Sequence, residues 1–295
     1  MMYKSLGYFI LTFVLWELVL RVWQPSMNSA QTDWQKNIVR GEEILNSKET
    51  RYKAGDFVIL GSSLAKRLDM TYFPNAVNFS LGGLSVFDGL NLLDKLDCNP
   101  DTLLVEINVI TRPENLSYKE QILFGLKPFL NPYITALRFK NQPIGLMAKY
   151  ASAIFSTIAN IKSVEAFKIL GLNETKIQKP HAKTTTVFQE GMQHRGILRQ
   201  YSSVDTTAIL KAVGKLKAKL KNFANRGCVV ILFEMPVYHK AQELPFARTN
   251  REIVIKEFVD YRILPMDTSR YLTTDGVHLD KSEAKRYTQY LLSVL

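Results

Sequence analysis

The 295-residue chain predicts an α/β fold, a parallel sheet with helices on both faces. Short apolar runs with β-branched residues, Phe57–Leu60, Thr102–Asn108 and Gly227–Met235, read as buried strands. Segments with apolar residues at helical spacing alternate with them, notably Phe87–Leu96, Thr206–Phe223 and Lys281–Leu295. A hydrophobic content of 46% can build a core, and 22% charge without low-complexity tracts argues against disorder.

The first element is the nearly continuous apolar run Gly7–Trp23. Roughly seventeen to twenty helical residues cross a hydrocarbon layer of about 30 Å. Tyr3, Tyr8, Trp16 and Trp23 suit its interfaces, and Lys4 lies on the N-terminal side. A signal-anchor helix, a cleaved signal peptide and a buried or interfacial helix all fit, and the lack of an A-x-A cleavage site favours the anchor. Glu17 is out of place in such a run, unless it faces another helix or pairs with Arg21 one turn on. A short N-terminal tail places the bulk of the chain outside the cytoplasm.

A polar connecting helix is expected over Gln31–Lys48, followed by the first strand, Phe57–Leu60. Gly61, Ser62 and Ser63 break that run, and a helix can start at once, with Leu64, Ala65 and Leu68 on one face and Lys66 and Arg67 on the other. Ala76–Ser80 is a second strand, ending in Leu81-Gly82-Gly83-Leu84. The third strand, Thr102–Asn108, follows the helix Phe87–Leu96. Strand–helix alternation then lapses for roughly a hundred residues. Within that stretch Lys119–Leu126 and Ala148–Leu170 read as helices, the latter with a stripe through Ala151, Ile154, Phe155 and Ile158, and Gly171 as its stop. Lys176–Gly191 reads as an extended basic loop. Regularity returns with the amphipathic helix Thr206–Phe223, which carries Ile209, Val213, Leu216 and Leu220 on one face and five lysines on the other. Gly227–Met235 is a strand stopped by Pro236, Arg251–Tyr261 a helix, Arg262–Asp267 a short strand and Lys281–Leu295 a closing helix. The resulting plan is an anchor (1–24), a connecting helix (25–50) and an α/β domain (51–295) with a basic insertion at about 115–205.

The net charge is +11, and Asn131–Gln200 holds ten lysines or arginines against three acidic residues. A solvated surface, an anionic lipid and an acidic polymer all fit such a patch. Without a zinc-finger, RNA-binding or helix-turn-helix signature, nucleic acid is not expected. Cys98 and Cys228 are too few for a disulfide scaffold and wrongly spaced for a CxxC site. Neighbouring third and fourth strands would bring them near each other, either as a disulfide or as two buried thiols.

Two stretches carry chemistry. Gly61-Ser62-Ser63-Leu64 sets a hydroxyl at the carboxyl edge of the sheet, where ligands bind in open α/β folds. Asp275-Gly-Val-His278 precedes the last helix, and three residues in a turn can bring the carboxylate to the imidazole. His181, His194 and His239 have no partner at metal-ligand spacing, so neither a metal nor a cofactor is expected.

Together these stretches resemble the SGNH (GDSL-type) esterase and acyltransferase superfamily over roughly Phe57–Leu295. Gly61-Ser62-Ser63-Leu64 is similar to its first block, with Ser62 where the family carries aspartate and Ser63 at the nucleophile position. Asn78-Phe-Ser-Leu-Gly-Gly83 resembles the second block, whose glycine, here Gly83 with Gly82 beside it, donates an oxyanion N–H. Asp275 and His278 match the fifth block, as orienter and general base. The third block, Gly-x-Asn-Asp, is absent. Asn108 is the nearest amide for an oxyanion hole, and Arg112 beyond it either contacts an anionic substrate or faces solvent.

The resemblance implies a flavodoxin-like, doubly wound sheet. It also implies a membrane-anchored, extracytoplasmic enzyme that moves an acyl group, most simply acetyl, through an acyl-serine onto a polysaccharide. Its donor partner would be a membrane-bound O-acyltransferase. An esterase with the same triad and a non-catalytic anchored scaffold or glycan-binding protein are the alternatives.

Overall fold

The computed structural model describes residues 2–23, 30, 32–169, 198 and 201–295. Contacts divide the chain into two compact units, Met1–Glu42 with Phe124–Thr186 and Glu43–Leu123 with Val187–Leu295. In chain order the first helices are α1 (Met2–Val22), α2 (Asp33–Asn46), α3 (Lys48–Asp56), α4 (Val86–Leu96), α5 (Leu116–Leu123) and α6 (Leu126–Leu130). They are followed by α7 (Pro143–Ile169), α8 (Thr206–Ala224), α9 (His239–Gln242), α10 (Pro245–Glu257) and α11 (Lys281–Val294).

The larger unit is built on a five-stranded, wholly parallel sheet. Its strands are β1 (Phe57–Leu60), β2 (Ala76–Asn78), β3 (Thr102–Glu106), β4 (Val229–Phe233) and β5 (Arg262–Ile263), in the order β2-β1-β3-β4-β5. The chain runs outward from β1 to β2 and then crosses back to β3, so the switch in direction falls at β1. Ligands bind at such a point, beyond the carboxyl ends of the strands.

Alternate strand residues serve opposite faces. Ile59, Leu104, Ile231 and Phe233 pack with Ala247 of α10 and with Ala284, Tyr287 and Leu291 of α11. Val58, Leu60, Leu103, Val105 and Leu232 are also buried, facing the other way. On that side α4 lies close enough that a Cβ on Gly89 would stand 2.9 Å from Leu60 Cδ2 and 3.2 Å from the Phe79 carbonyl. The α8 helix packs on β4 and buries Ile209, Val213, Leu216, Leu220 and Phe223, the stripe read from the sequence. Ser85 and Asp88 form a capping box that starts α4 where its apolar periodicity begins.

Several expectations need correction. The connecting helix expected over Gln31–Lys48 is α2, and a second helix not expected, α3, follows it before β1, started where Ser47 accepts from the Thr50 N–H. No α-helix follows Ser63. Ala65–Arg67 is one 3-10 turn that ends at Leu68, although Leu64, Ala65 and Leu68 are buried and Lys66 and Arg67 exposed, as the pattern required. The helix expected at Arg251–Tyr261 runs six residues earlier, with Pro245 in its first turn, where the missing N–H costs nothing. Cys98 and Cys228 are both free thiols. The Lys176–Gly191 loop, the Gly171 stop, His181, His194 and five of the ten cations of the basic segment lie outside the described residues.

The smaller unit joins the apolar N-terminal helix to the insertion. Tyr3–Val22 is long and apolar enough to cross a membrane, with mean hydropathy 1.6. The Glu17 carboxylate pairs with Arg21 at 2.9 Å and also accepts from the N–H groups of Thr135 (3.1 Å) and Ala136 (2.6 Å), at the start of the 3-10 turn Thr135–Leu137. A carboxylate at such a terminus satisfies donors that have no partner within the turn. Glu42 repeats the device on the turn Phe139–Asn141, accepting from Phe139 N–H at 2.6 Å and from Asn131 Nδ2 at 3.0 Å. The first part of the insertion, which the sequence assigned to the α/β domain, therefore packs on α1 and α2.

Candidate active site

Three loops at the carboxyl edge of the sheet bring together the residues singled out in the sequence. After β1, Ser63 sits half-buried in a turn and receives His278 Nε2 at 2.8 Å from its Oγ. His278 Nδ1 lies 2.6 Å from Asp275 Oδ2. The other Asp275 oxygen accepts from the N–H groups of His278 (2.8 Å) and Val277 (3.1 Å), which fixes the carboxylate before it meets the ring. Burial raises the Asp275 carboxyl, and hydrogen bonds from the His278 N–H, its ring and the Val277 N–H outweigh that and hold it below its ordinary value. Asp275 is thus kept ionised beside the imidazole, an arrangement that favours a proton on Nδ1 and leaves Nε2 to accept from Ser63.

The loop bearing this pair is held from several sides. Thr273 and Leu279 form an isolated antiparallel bridge, and Thr274 N–H donates to the His278 carbonyl at 2.8 Å. Gly276 turns the chain with φ of 92°, where an L side chain would be strained. The Gly276 carbonyl accepts from Tyr238 N–H at 2.9 Å, and Leu279 is buried.

The Ser63 turn rests on a residue the sequence reading did not single out. Glu106, the last residue of β3, is wholly buried beneath it. Its Oε2 accepts from Ser62 N–H at 2.8 Å and Ala65 N–H at 3.1 Å, and Ser62 Oγ lies 3.0 Å from both carboxyl oxygens. Gly61 makes room for it, since a Cβ there would stand 2.6 Å from Oε2. Burial pushes the Glu106 carboxyl up, opposed by the N–H groups of Ser62 and Ala65. A carboxyl group from the neighbouring strand thus contacts the position where the resembled family carries aspartate. The available signal was an ionisable residue inside the apolar run Leu103-Leu-Val-Glu-Ile107. Asn78 was noted only as part of a block. Its amide donates to the Ala65 carbonyl at 2.8 Å and accepts from Ser80 N–H at 2.9 Å, tying the end of β2 to the same turn.

The expected oxyanion donors separate into two kinds. Gly83 has φ of 72°, and no atom lies within 4 Å of where its Cβ would be. Among the described residues neither Ser63 N–H nor Gly83 N–H donates a hydrogen bond. Asn108 makes a structural contact with the chain after β4. Its Nδ2 donates to the Met235 carbonyl at 2.7 Å while its Oδ1 accepts from Met235 N–H at 2.7 Å. Through its carbonyl and one of its two N–H groups this buried amide clamps the chain after β3 to the chain after β4.

Gly82 is half-buried beside Gly83. Arg112 donates to the Leu84 carbonyl at 3.2 Å, bracing the glycine loop, and lines a cavity of about 340 Å³ with Val109, Thr111, Asp205 and Phe246. None of the three relay residues lines that cavity. His239 opens α9 and stacks edge-on to Tyr238. Among the described residues no group of three His, Cys, Asp or Glu side chains is placed to hold a metal ion.

The arrangement can abstract a proton from Ser63 and return it to a leaving group. No protein-family model, no curated protein and no solved structure matches the chain.

Proposed function

We propose that the chain is a membrane-anchored, SGNH-type O-acyltransferase, which passes an acyl group, most simply acetyl, through Ser63 to an extracytoplasmic polysaccharide. The observation that carries this reading is the Asp275–His278–Ser63 relay, with contacts of 2.6 and 2.8 Å at the carboxyl edge of a parallel sheet. The strand order β2-β1-β3-β4-β5 supports it, being the flavodoxin-like doubly wound order with its ligand crevice beside β1. The apolar α1 supports the anchoring.

In this mechanism Ser63 Oγ attacks the acyl carbonyl carbon as its proton passes to His278 Nε2. The oxyanion is held by the N–H groups of Ser63 and Gly83, without a side-chain amide. Loss of one such donor costs about 10²–10³-fold in rate, so turnover is slow for a serine enzyme. The tetrahedral intermediate collapses, and the leaving group takes the proton from His278. A sugar hydroxyl then gives its proton to His278 and attacks the acyl-serine, releasing the ester and restoring Ser63. The acyl donor is supplied by a membrane-bound O-acyltransferase partner.

Hydrolysis is the second reading, favoured by the openness of the relay. The His278 and Asp275 side chains are 22% and 38% exposed, so water can reach the acyl-serine. Incubation with an aryl acetate, with and without an oligosaccharide acceptor, separates the two. Transfer predicts an acetyl group on Ser63 by mass spectrometry and acetylated oligosaccharide. Free acetate alone at saturating acceptor replaces transferase by esterase, and no acetyl-Ser63 refutes both.

A further inference from the structure

We propose that the first part of the insertion, Phe124–Thr157, is an interfacial membrane element that seats in the headgroup layer of an anionic bilayer around the emerging end of α1. The proposal rests on α1 crossing that bilayer and is independent of the chemistry at Ser63.

The first support is where the insertion grips the helix. Trp16 Nε1 donates to the Asn141 carbonyl at 3.2 Å, Glu17 caps the turn at Thr135, Arg21 reaches the Tyr133 carbonyl at 3.2 Å and the Trp23 ring meets Tyr150 at 5.5 Å. These contacts fall between Trp16 and Trp23, which covers about 10 Å of helix axis. They lie at the C-terminal end of Tyr3–Val22, not at its centre. A membrane-spanning α1 therefore holds the insertion at one boundary of the hydrocarbon layer. Trp16, Trp23, Tyr133 and Tyr150 collect there, the aromatic composition of a membrane–water interface.

The second support is an apolar face that stands exposed among the described residues. In α7, Ile144, Met147, Ile154 and Phe155 recur at helical spacing and are 82%, 71%, 58% and 71% exposed. Leu146 is the buried residue of that helix up to Thr157. The stripe read from the sequence through Ala151, Ile154 and Phe155 lies on this face, which is exposed among the described residues. Phe129 and Tyr133 on the preceding segment are similarly open, at 67% and 68%. A helix with an exposed apolar face next to a spanning helix fits the interfacial plane of the bilayer.

Charge selects the kind of lipid. Between Phe124 and Thr157 the chain holds Lys127, Arg138, Lys140 and Lys149 and no acidic residue. Cations at the headgroup level are attracted to anionic lipids, each contributing roughly a fivefold gain in surface affinity. The binding face of another protein's helices would not need this uniform sign beside its apolar residues.

The test uses the full chain in vesicles of phosphatidylcholine with about one third phosphatidylglycerol, in a Cys98→Ser/Cys228→Ala background that removes both native thiols. An environment-sensitive fluorophore is placed on single cysteines by Val14→Cys, Phe129→Cys, Phe155→Cys and, as an aqueous reference, Val259→Cys, an exposed position in the sheet unit. The expected result is a blue-shifted Val14 probe quenched by deep doxyl lipids. Probes at 129 and 155 become blue-shifted, quenched by shallow doxyl lipids and shielded from iodide, while the Val259 probe stays iodide-accessible. Shielding at 129 and 155 falls in pure phosphatidylcholine and in Lys140→Gln/Lys149→Gln.

Four outcomes overturn the proposal. If Val14 is lipid-exposed while 129 and 155 behave like 259, α1 spans and the insertion stays in water. If Val14 is itself aqueous, the spanning reading fails first. Equal shielding in neutral and anionic vesicles removes the anionic lipid. Shielding seen only in native membranes, and not in vesicles, assigns the face to a protein partner.

Discussion

Glu106 gives the sharpest structural prediction. Replacing it with alanine leaves the Ser62 and Ala65 N–H groups without an acceptor in a buried site. At about 1–3 kcal/mol for each orphaned donor, Glu106→Ala costs about 2–6 kcal/mol. Glu106→Gln is the informative companion. Its carbonyl can take the place of Oε2 and keep both N–H bonds, and its amide can take the place of Oε1, which contacts Ser62 Oγ. The glutamine thus copies the neutral acid and costs less than about 1 kcal/mol at acid pH. The pH dependence tells the ionisable group from simple packing. Burial lifts the folded-state carboxyl above its ordinary value of 4.5, so the stability of the parent protein declines as pH rises from the unfolded value through the folded one. That slope is absent from Glu106→Gln. Urea unfolding of the full chain in detergent between pH 4 and 8, followed by circular dichroism, reads all three proteins. Glu106→Ala within about 1 kcal/mol of the parent would refute the reasoning, and so would Glu106→Gln as damaging as alanine at acid pH.

Further expectations concern the same framework. Gly61→Ala sets a methyl 2.6 Å from Glu106 Oε2 and 2.7 Å from Ala65 Cβ, so it loses about 1–3 kcal/mol by urea unfolding, and a fully stable variant would contradict the packing. Glu114 is held at about 2 by Lys215, Asn91 and Lys119, against an ordinary 4.5. Its contribution, about 1 kcal/mol once solvent screening of lysines 31% and 44% exposed is counted, is present above the ordinary value and is lost as pH falls through the folded one. Glu114→Gln therefore flattens the acid limb of the stability curve, and an unchanged limb would count against the ion pairs. Asp275→Asn keeps an acceptor for the Val277 and His278 N–H groups but removes the charge beside the imidazole. Its reaction with an aryl acetate slows by about 10²–10⁴-fold with stability little changed, whereas parental kinetics would exclude a role for the carboxylate.

What was legible in the sequence follows from the range of the forces involved. Strands such as Val229–Phe233 and the α8 stripe are written in periodicity, because burial on one face acts residue by residue. The Asp275–His278 contact was legible because three residues in a turn bring the two groups together. Long-range polar contacts were not. The bond between Ser62 and Glu106 spans 44 positions and the Asn108 clamp on Met235 spans 127, and no local pattern records either. In α7 the helical period was legible, but periodicity reports an apolar face and says nothing of what covers it.

The central claim is that Ser63 is a nucleophile activated by His278, and serine-directed labelling tests it most directly. A fluorophosphonate probe applied to the full chain in membranes, with the modified peptide located by mass spectrometry, should label Ser63. Labelling should vanish in Ser63→Ala and slow by at least about 10²-fold in His278→Gln. A parent protein that stays unlabelled, or labelling that survives in Ser63→Ala, would contradict the account.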